Sequence, residues 1–186
     1  SSGISAANPD IRRYVVAPKR AVCSFSGACS IQARYSGPSM PQYPERLQTL
    51  LDAFAGVTDT DERTQLLIDF ARKFKEVPPE VATRPFAPEH LVKHCESEAY
   101  AWAVPSADGT LKLHFAVENP SGVSAKALAA ILDKALSGLP PSEIAKVDPE
   151  IVEKLFRQNI SMGKGMGLMS MVQTVQALAK QQLTPP

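Results

Sequence analysis

The segment KHCESEAYAW occupies residues 93–102, where the character of the chain changes. Its first half places the thiol of Cys95 among charged and polar neighbours, and its second half alternates small and aromatic residues as a β-strand does. The apolar residues before this segment recur at helical spacing, and a second alternating run follows it. The segment is therefore the corner at which a helical part of the chain turns into a sheet.

Two amphipathic helices are predicted before this corner. The first has apolar residues at i, i+3, i+4, i+7 and i+8 and ends at Gly56; these residues are Leu47, Leu50, Leu51, Phe54 and Ala55. The second begins at a cap formed by Thr58 or Asp59 and is ended by Pro78-Pro79. Its buried face consists of Leu66, Leu67, Phe70, Ala71 and Phe74. The two helices predict a helical hairpin, followed by a long loop to residue 94.

A β-hairpin and further helices are predicted after the corner. Residues 99–104 and 111–117 alternate on either side of an Asp108-Gly109 turn, which favours antiparallel strands. The later helical segments are residues 124–136 with Ser124 as cap, a short turn from 141, residues 149–159 after Asp148, and residues 168–182 after a glycine-rich break over 161–167. This order indicates an α+β fold over residues 44–184, with a small antiparallel sheet packed on helices.

The composition describes an ordinary soluble domain. The 186 residues are 44% hydrophobic and 21% charged, with a formal net charge of +1. This balance does not favour nucleic acid or a membrane surface as a partner, and no apolar run reaches the roughly 18 residues of a membrane span. The three cysteines are irregularly spaced. They therefore indicate a reducing compartment rather than a disulfide framework.

Residues 1–43 differ from the rest of the chain. They contain five basic residues against the single acid Asp10, are rich in Ser, Ala, Gly and Pro, and show no helical or strand period. This composition is typical of an organelle transit peptide, and an ordinary disordered tail is the alternative. Cys23 and Cys29 lie in this segment, and without a second pair of ligands they do not favour a zinc site.

Cys95 is the candidate reactive residue, because its neighbours are charged or polar where a core cysteine would have apolar ones. The structural alternative is an inert, buried thiol. The thiolate is the reactive form of cysteine. Protonated Lys93 and His94 would lower the pKa of this thiol, whereas Glu96 and Glu98 would raise it. The sequence leaves that balance open.

Two other uses of this region stay open at the level of local sequence. His90, His94 and Cys95 supply three donors for zinc, but a fourth at suitable spacing is missing. A cysteine hydrolase would need a base beside Cys95, either the adjacent His94 or His114 on the paired strand, and nothing marks an oxyanion hole.

The run Gly163–Gly167 is not a phosphate-binding loop. Gln158 stands where a Walker A motif requires Gly, and Gly165 stands where it requires Ser or Thr. The run is interpreted as a turn between helices that leaves Lys164 free to reach an acidic group or a thiolate.

Residues 45–183 resemble the SufE family of cysteine-desulfurase partners. The family's Gly-Cys-x-Ser-x-Val-Trp motif, at the start of its first strand, corresponds to His94–Tyr100. Its Lys-Gly-Leu corresponds to Lys126–Leu128, and its Leu-Ser-Gly-x-x-Pro-x-Glu-Ile, strongest in plastid members, corresponds to Leu136–Ile144 with one extra residue. Its Leu-Ser-Pro-Ser-Arg-x-Asn-Gly-Leu corresponds to Ile160–Leu168. The chain is thus identified as a divergent, plastid-type member.

The chain departs from the family pattern around the cysteine. His94 replaces the Gly that lets the cysteine loop turn tightly, and Tyr100 replaces Trp. Lys164 replaces Arg, which keeps the charge but loses the planar fork. Met166 replaces Asn. These differences concern the loop and its contacts rather than the scaffold.

The resemblance implies a sulfur acceptor and desulfurase activator rather than a stand-alone enzyme. A SufS-type desulfurase, which uses pyridoxal phosphate, leaves a persulfide on its own cysteine. Cys95 would take the terminal sulfur by the displacement of thiol–disulfide exchange, so the carrier itself needs no cofactor and no metal. Lys164 would stabilise the thiolate or persulfide, and Ser97 would hold the loop through backbone N–H groups, with His94 as a further supporting residue. A SufBCD-type scaffold for iron–sulfur cluster assembly would receive the sulfur.

The resemblance also implies a location. Residues 136–144 are closest to plastid members, so the chloroplast stroma is expected, with the mitochondrion as the alternative. The alternative function is a non-catalytic SufE-like interaction or regulatory module, either a diverged regulator or one part of a fusion with a quinolinate synthase or a BolA-like domain.

Overall fold

The computed structural model describes residues 43–157 and 160–183. The predicted transit peptide, apart from Tyr43, lies outside these residues together with Cys23 and Cys29. The described elements in chain order are α1 Glu45–Gly56, α2 Thr60–Arg72, a 3-10 turn Pro88–His90, β1 Ala99–Pro105, β2 Leu111–Val117, α3 Val123–Leu136, α4 Pro141–Ile144, α5 Ile151–Phe156 and α6 Met162–Gln181. This order confirms the predicted α+β class. Within the described ranges, no helix has the length and apolar character needed to cross a membrane.

α1 and α2 follow each other through the short predicted connection, and α2 packs mainly on α3 whereas α1 packs on α5 and α3. The Asp59 carboxylate caps α2, because its Oδ1 accepts hydrogen bonds from the backbone N–H groups of Asp61 and Glu62, both at 2.9 Å. Such a cap contributes about 1 kcal/mol. Phe54 of α1 and Phe70 of α2 contact each other, with 5.8 Å between their ring centroids.

The end of α2 was predicted wrongly. The helix ends at Arg72, before Pro78-Pro79. The chain leaves the helix early because the next residues join the edge of the sheet, where the N–H of Val77 donates to the carbonyl of Phe115 at 2.8 Å. A hydrogen bond between distant segments therefore overrides the local signal from the prolines.

The two strands form the predicted antiparallel hairpin, with a register that runs from Ala99 opposite Val117 to Pro105 opposite Leu111. Because side chains alternate along a strand, the sheet has two faces. One face enters the main core through Ala99, Ala101, Leu113, Phe115 and Val117. The other is covered by the segment after α2, in a smaller cluster of Val77, Trp102 and Ala116 with Phe86 and Tyr100 against it.

α3 lies at the centre of the main core. Its buried residues are Ala125, Ala127, Leu128, Ala129, Ile131, Leu132, Ala135 and Leu136. The start of this helix differs from the prediction: Gly122 is the N-cap residue and no side chain caps the helix, so Ser124 is not the cap. α5 is also shorter than predicted, because residues 149 and 150 form a turn and the helix ends at Phe156.

The predicted glycine-rich break is helical. α6 begins at Met162, six residues before the predicted start, and the Ser161 hydroxyl accepts a hydrogen bond from the N–H of Lys164 at 3.5 Å. The prediction was wrong because each glycine costs a helix about 1 kcal/mol in isolation. In the folded chain, these glycines lie in α6, and Gly167 is in close contact with the backbone of His94 and Cys95.

Arg63 is a buried cation that the sequence analysis did not identify. Its side chain is 2% exposed and donates to backbone carbonyls of Phe54 and Val57 at the end of α1 and of Lys154 and Leu155 in α5. The carboxyl end of a helix carries partial negative charge, which a guanidinium complements. Burial lowers the pKa of Arg63, and the charge of Arg157 lowers it further. Arg63 thus joins two helix ends that are distant in sequence.

Candidate functional site

Cys95 lies on a closed loop, residues 93–98, which we call the cysteine loop. The base of the loop is fixed because the N–H of Val92 donates to the carbonyl of Ala99 at 2.8 Å. Inside the loop, the N–H of Glu98 donates to the carbonyl of Cys95 at 3.1 Å and forms a turn. The cysteine loop is therefore a short, hydrogen-bonded extension of the amino end of β1.

The backbone of the cysteine loop is in an unusual conformation. His94 has φ 59° and Glu98 has φ 47°. Both values lie in the left-handed region, which costs an L-residue roughly 1–2 kcal/mol and which glycine adopts freely. His94 stands where the SufE motif has Gly, so the chain keeps the turn that the motif requires and bears the conformational cost.

The cysteine loop packs directly against the first turns of α6. A Cβ atom at Gly167 would lie 2.8 Å from the carbonyl oxygen of His94 and 3.2 Å from Cα of Cys95. Gly163, one turn earlier, faces the Glu96 carboxylate at 3.5 Å. This role of the glycines was not predicted, although their i, i+4 spacing places them on one helix face.

The other side of the cysteine loop packs against the turn before α3. The carbonyl of Ser97 accepts a hydrogen bond from the N–H of Asn119 at 3.2 Å. A Cβ atom at Gly122 would lie 3.0 Å from the Ser97 hydroxyl and 2.9 Å from Val117. The hydrogen bond that the structure describes for Ser97 is thus accepted by its backbone carbonyl. The prediction was that its side chain would bind backbone N–H groups.

Cys95 is half-buried at a small pocket open to solvent, which we call the Cys95 pocket. The pocket volume is about 50 Å³, and its lining comes from the cysteine loop, the start of α3 and the first turns of α6: Cys95, Glu96, Ser97, Ser121, Gly122, Val123, Ser124, Ala125, Lys164, Gly167 and Leu168. A water needs about 10–15 Å³ by this measure, so the pocket has room for an additional sulfur atom beside the thiol. Drug-sized ligands and cofactors occupy several times this volume.

Two features favour negative charge in the Cys95 pocket. α3 begins there without a side-chain cap, and the N–H groups of Ser124 and Ala125 in its first turn have no acceptor among the described residues. An uncapped helix start carries partial positive charge and free donors. Lys164 also lines the pocket, and it forms no ion pair with the residues that the structure describes.

The structure brings three of the four predicted site residues together. Cys95, Ser97 and Lys164 line the same pocket. The His94 side chain is exposed and does not line it, and this residue contributes its carbonyl to the contact with α6. Among the described contacts, none supports the predicted role of the His94 imidazole.

The candidate base of a cysteine hydrolase is not placed beside Cys95. His114 pairs with Trp102 in the middle of β2 and does not line the Cys95 pocket. By strand alternation it faces away from the core residues Leu113 and Phe115. Burial lowers the pKa of His114, and the charge of Lys112 lowers it further.

The three candidate zinc donors do not converge either. The His90 ring packs against Trp102, with 5.1 Å between ring centroids. Over residues 43–157 and 160–183, no group of three or more His, Cys, Asp or Glu side chains is arranged to hold a metal ion.

Apolar side chains are exposed on the two helices that line the Cys95 pocket. Met162 and Met166, one turn apart on α6, are 86% and 58% exposed, and Val123 at the pocket edge is 42% exposed. Exposed apolar groups that lie close together mark surfaces for protein–protein contact. They lie on α3 and α6, the two helices that line the Cys95 pocket.

Comparison with known proteins shows which family the chain is similar to. A family described as "SufE: Fe-S metabolism associated domain" matches residues 48–179. SufE-like protein 1, chloroplastic/mitochondrial, from Arabidopsis thaliana is 27% identical over 139 residues, which are 74% of this chain and 36% of that protein. An uncharacterized SufE-like protein of Rhizobium etli is 29% identical over 136 residues, which are 72% of this chain and 89% of that protein.

A solved structure shares the fold. The solution structure of a hypothetical protein from Thermus thermophilus superimposes with a TM-score of 0.60 at 24% sequence identity. The match covers 77% of this chain and 99% of that one.

Proposed function

The chain belongs to the SufE family of Fe-S metabolism associated domains, and from this premise we propose that it is a sulfur acceptor that works through Cys95. The donor is a SufS-type cysteine desulfurase that carries a persulfide. The acceptor stimulates that desulfurase and delivers the sulfur for iron–sulfur cluster assembly. The observation that carries the proposal is the placement of Cys95, half-buried on a closed loop, in a pocket with Lys164 and the start of α3.

The reaction requires one nucleophilic thiolate. The Cys95 sulfur attacks the terminal sulfur of the donor persulfide, a new S–S bond forms at Cys95, and the donor's S–S bond breaks. The donor cysteine leaves as a thiolate, so the donor is reduced as Cys95 is oxidised to the persulfide. No external electron carrier takes part.

The Cys95 pocket suits both the attacking and the product state. The thiolate and the persulfide anion are negative, and Lys164 and the start of α3, which line the pocket together with Glu96, are the groups that can stabilise them. The volume of about 50 Å³ admits the additional sulfur. The exposed Met162, Met166 and Val123 supply an apolar surface for the desulfurase around the thiol.

Transfer of radiolabelled sulfur from a desulfurase tests this proposal. We expect Cys95→Ser to lose the label, whereas Cys23→Ser and Cys29→Ser keep it. Lys164→Gln should slow the transfer several-fold without abolishing it, because one charge is lost while the helix start stays in place. A Cys95→Ser chain that still accepts sulfur contradicts the assignment. If this variant fails to accept sulfur yet stimulates the desulfurase fully, the chain acts as a non-catalytic regulatory module instead.

The proposed location is the plastid stroma, with the mitochondrion as the alternative. The basic, Ser-rich composition of residues 1–43 supports this proposal, as does the chloroplastic/mitochondrial label of the Arabidopsis relative. A SufBCD-type scaffold is the proposed recipient of the sulfur there. A fluorescent protein fused behind residues 1–43 should enter one of these organelles, and a fusion that stays in the cytosol argues against a transit peptide.

A further inference from the structure

Gly167 makes a contact with the cysteine loop that no side chain could make. A Cβ atom there would lie 2.8 Å from the carbonyl oxygen of His94, 3.2 Å from Cα of Cys95 and 3.5 Å from the carbonyl carbon of His94. All three atoms belong to the backbone of the loop, so no rotamer change can relieve the contact. Glycine is required at this position for the loop to lie against α6.

The other glycines of α6 do not have this property. Among the described residues, a Cβ atom at Gly165 would meet Cδ1 of Ile160 at 3.5 Å, and a Cβ atom at Gly163 would meet the Glu96 carboxylate, also at 3.5 Å. Both are ordinary van der Waals distances to the ends of flexible side chains. Gly165 therefore provides a matched control: the same substitution in the same helix, two residues away, without the backbone contact.

The contact determines where the thiol rests. Val92 and Ala99 fix the base of the cysteine loop, and the carbonyl of Ser97 is bonded to Asn119. The middle of the loop, at His94 and Cys95, can therefore move only by lifting away from α6. Lifting it would separate Cys95 from Lys164 and Leu168, which line the same pocket from α6.

We infer that Gly167 is a positioning residue for Cys95. The absence of a side chain at position 167 lets the cysteine loop close on α6 and keeps the thiol half-buried in the Cys95 pocket. A side chain there shifts the loop toward an open state in which the thiol is freely accessible. That the closed cysteine loop serves sulfur transfer rests on the proposed function, whereas the effect of Gly167 on the accessibility of the thiol does not.

The test compares Gly167→Ala with Gly165→Ala in the full chain, using iodoacetamide as the probe. Alkylation of Cys95 is followed by mass spectrometry of its peptide between pH 6 and 10, and the rates at Cys23 and Cys29 serve as internal references. The plateau rate at high pH, where the thiol is ionised, reports accessibility alone. We expect Gly167→Ala to raise the plateau at Cys95 about tenfold, which corresponds to about 1.4 kcal/mol in the opening equilibrium. Gly165→Ala should match the wild type.

Two outcomes would overturn the inference that Gly167 positions Cys95. Equal plateaus for the two variants overturn the positioning role, and so does a Gly167→Ala chain whose circular dichroism shows global unfolding, since Gly167 would then be required by the fold itself. The alkylation assay contains no desulfurase. Its result therefore stands apart from the sulfur-transfer test of Cys95→Ser, and either proposal can fail alone.

Discussion

Replacing His94 with glycine is expected to stabilise the protein. His94 has φ 59°, and the left-handed conformation costs an L-residue roughly 1–2 kcal/mol, with histidine among the residues that tolerate it better. Glycine avoids this cost but loses roughly 0.5–1 kcal/mol more conformational entropy on folding. The difference predicts that His94→Gly raises the free energy of unfolding by about 0.5–1 kcal/mol.

A comparison with alanine isolates the backbone contribution. His94→Ala also removes the imidazole but keeps the Cβ atom that makes positive φ unfavourable. We expect Gly to be more stable than Ala at position 94 by about 1 kcal/mol. At Gly165, inside α6, the order should be reversed, and Gly165→Ala should gain about 1 kcal/mol of helix propensity. Exchanging glycine for alanine is thus expected to lower the stability at position 94 and to raise it at position 165.

Urea unfolding measures these differences. With a slope of about 1–3 kcal/mol per molar urea, a change of 1 kcal/mol moves the midpoint by about 0.3–1 M. An alanine variant at position 94 that equals or exceeds the glycine variant would refute the left-handed backbone on which the argument depends.

The His94→Gly variant also tests whether the imidazole of His94 takes part in sulfur transfer. The imidazole is exposed and does not line the Cys95 pocket, so His94→Gly should still accept sulfur from a desulfurase. If His94→Gly loses sulfur transfer while alkylation of Cys95 is unchanged, the imidazole takes part in the chemistry.

Two further predictions concern stability. Arg63→Met removes a buried guanidinium that donates to four backbone carbonyls at two helix ends, of which that of Phe54 keeps the N–H of Val57 as a donor, and should lower the free energy of unfolding by about 3 kcal/mol in urea. The matched change Arg46→Met removes an exposed hydrogen bond to Ser137 and should cost under about 1 kcal/mol; equal losses would contradict the buried role of Arg63. Burial and the charge of Lys112 lower the pKa of folded His114, so the unfolded chain binds the proton more readily and stability falls as the pH drops through about 6.5. His114→Gln should reduce the fall in urea midpoint between about pH 7.5 and 5.5, and a pH dependence identical to that of the wild type would show that His114 is not its source.

Local patterns were sufficient for most of the scaffold. The stripe from Leu47 to Ala55 predicted α1, and the two alternating runs predicted the strands of the hairpin. The carboxylate of Asp59 was one of two predicted caps and is the one that accepts the hydrogen bonds. These features depend on residues a few positions apart, so periodicity and capping chemistry report them directly.

The errors at the end of α2 and at the start of α6 have a common cause. Pro78-Pro79 did not end α2, because the chain joins the sheet at Val77 first. The segment 161–167 was predicted as a break because glycine weakens an isolated helix, yet α6 begins at Met162. In both cases a contact between segments distant in sequence outweighed a local preference of about 1 kcal/mol per residue.

The sequence by itself determined the α+β order, the hairpin, the resemblance to the SufE family and Cys95 as the residue of interest. Only the tertiary structure decided what surrounds that thiol. It placed Lys164 and the start of α3 beside Cys95 and left His114 outside the pocket. It also showed that Gly167 admits the cysteine loop. The physical reason is that a pocket is made by backbones that approach from distant parts of the chain, and local periodicity contains no information about such approaches.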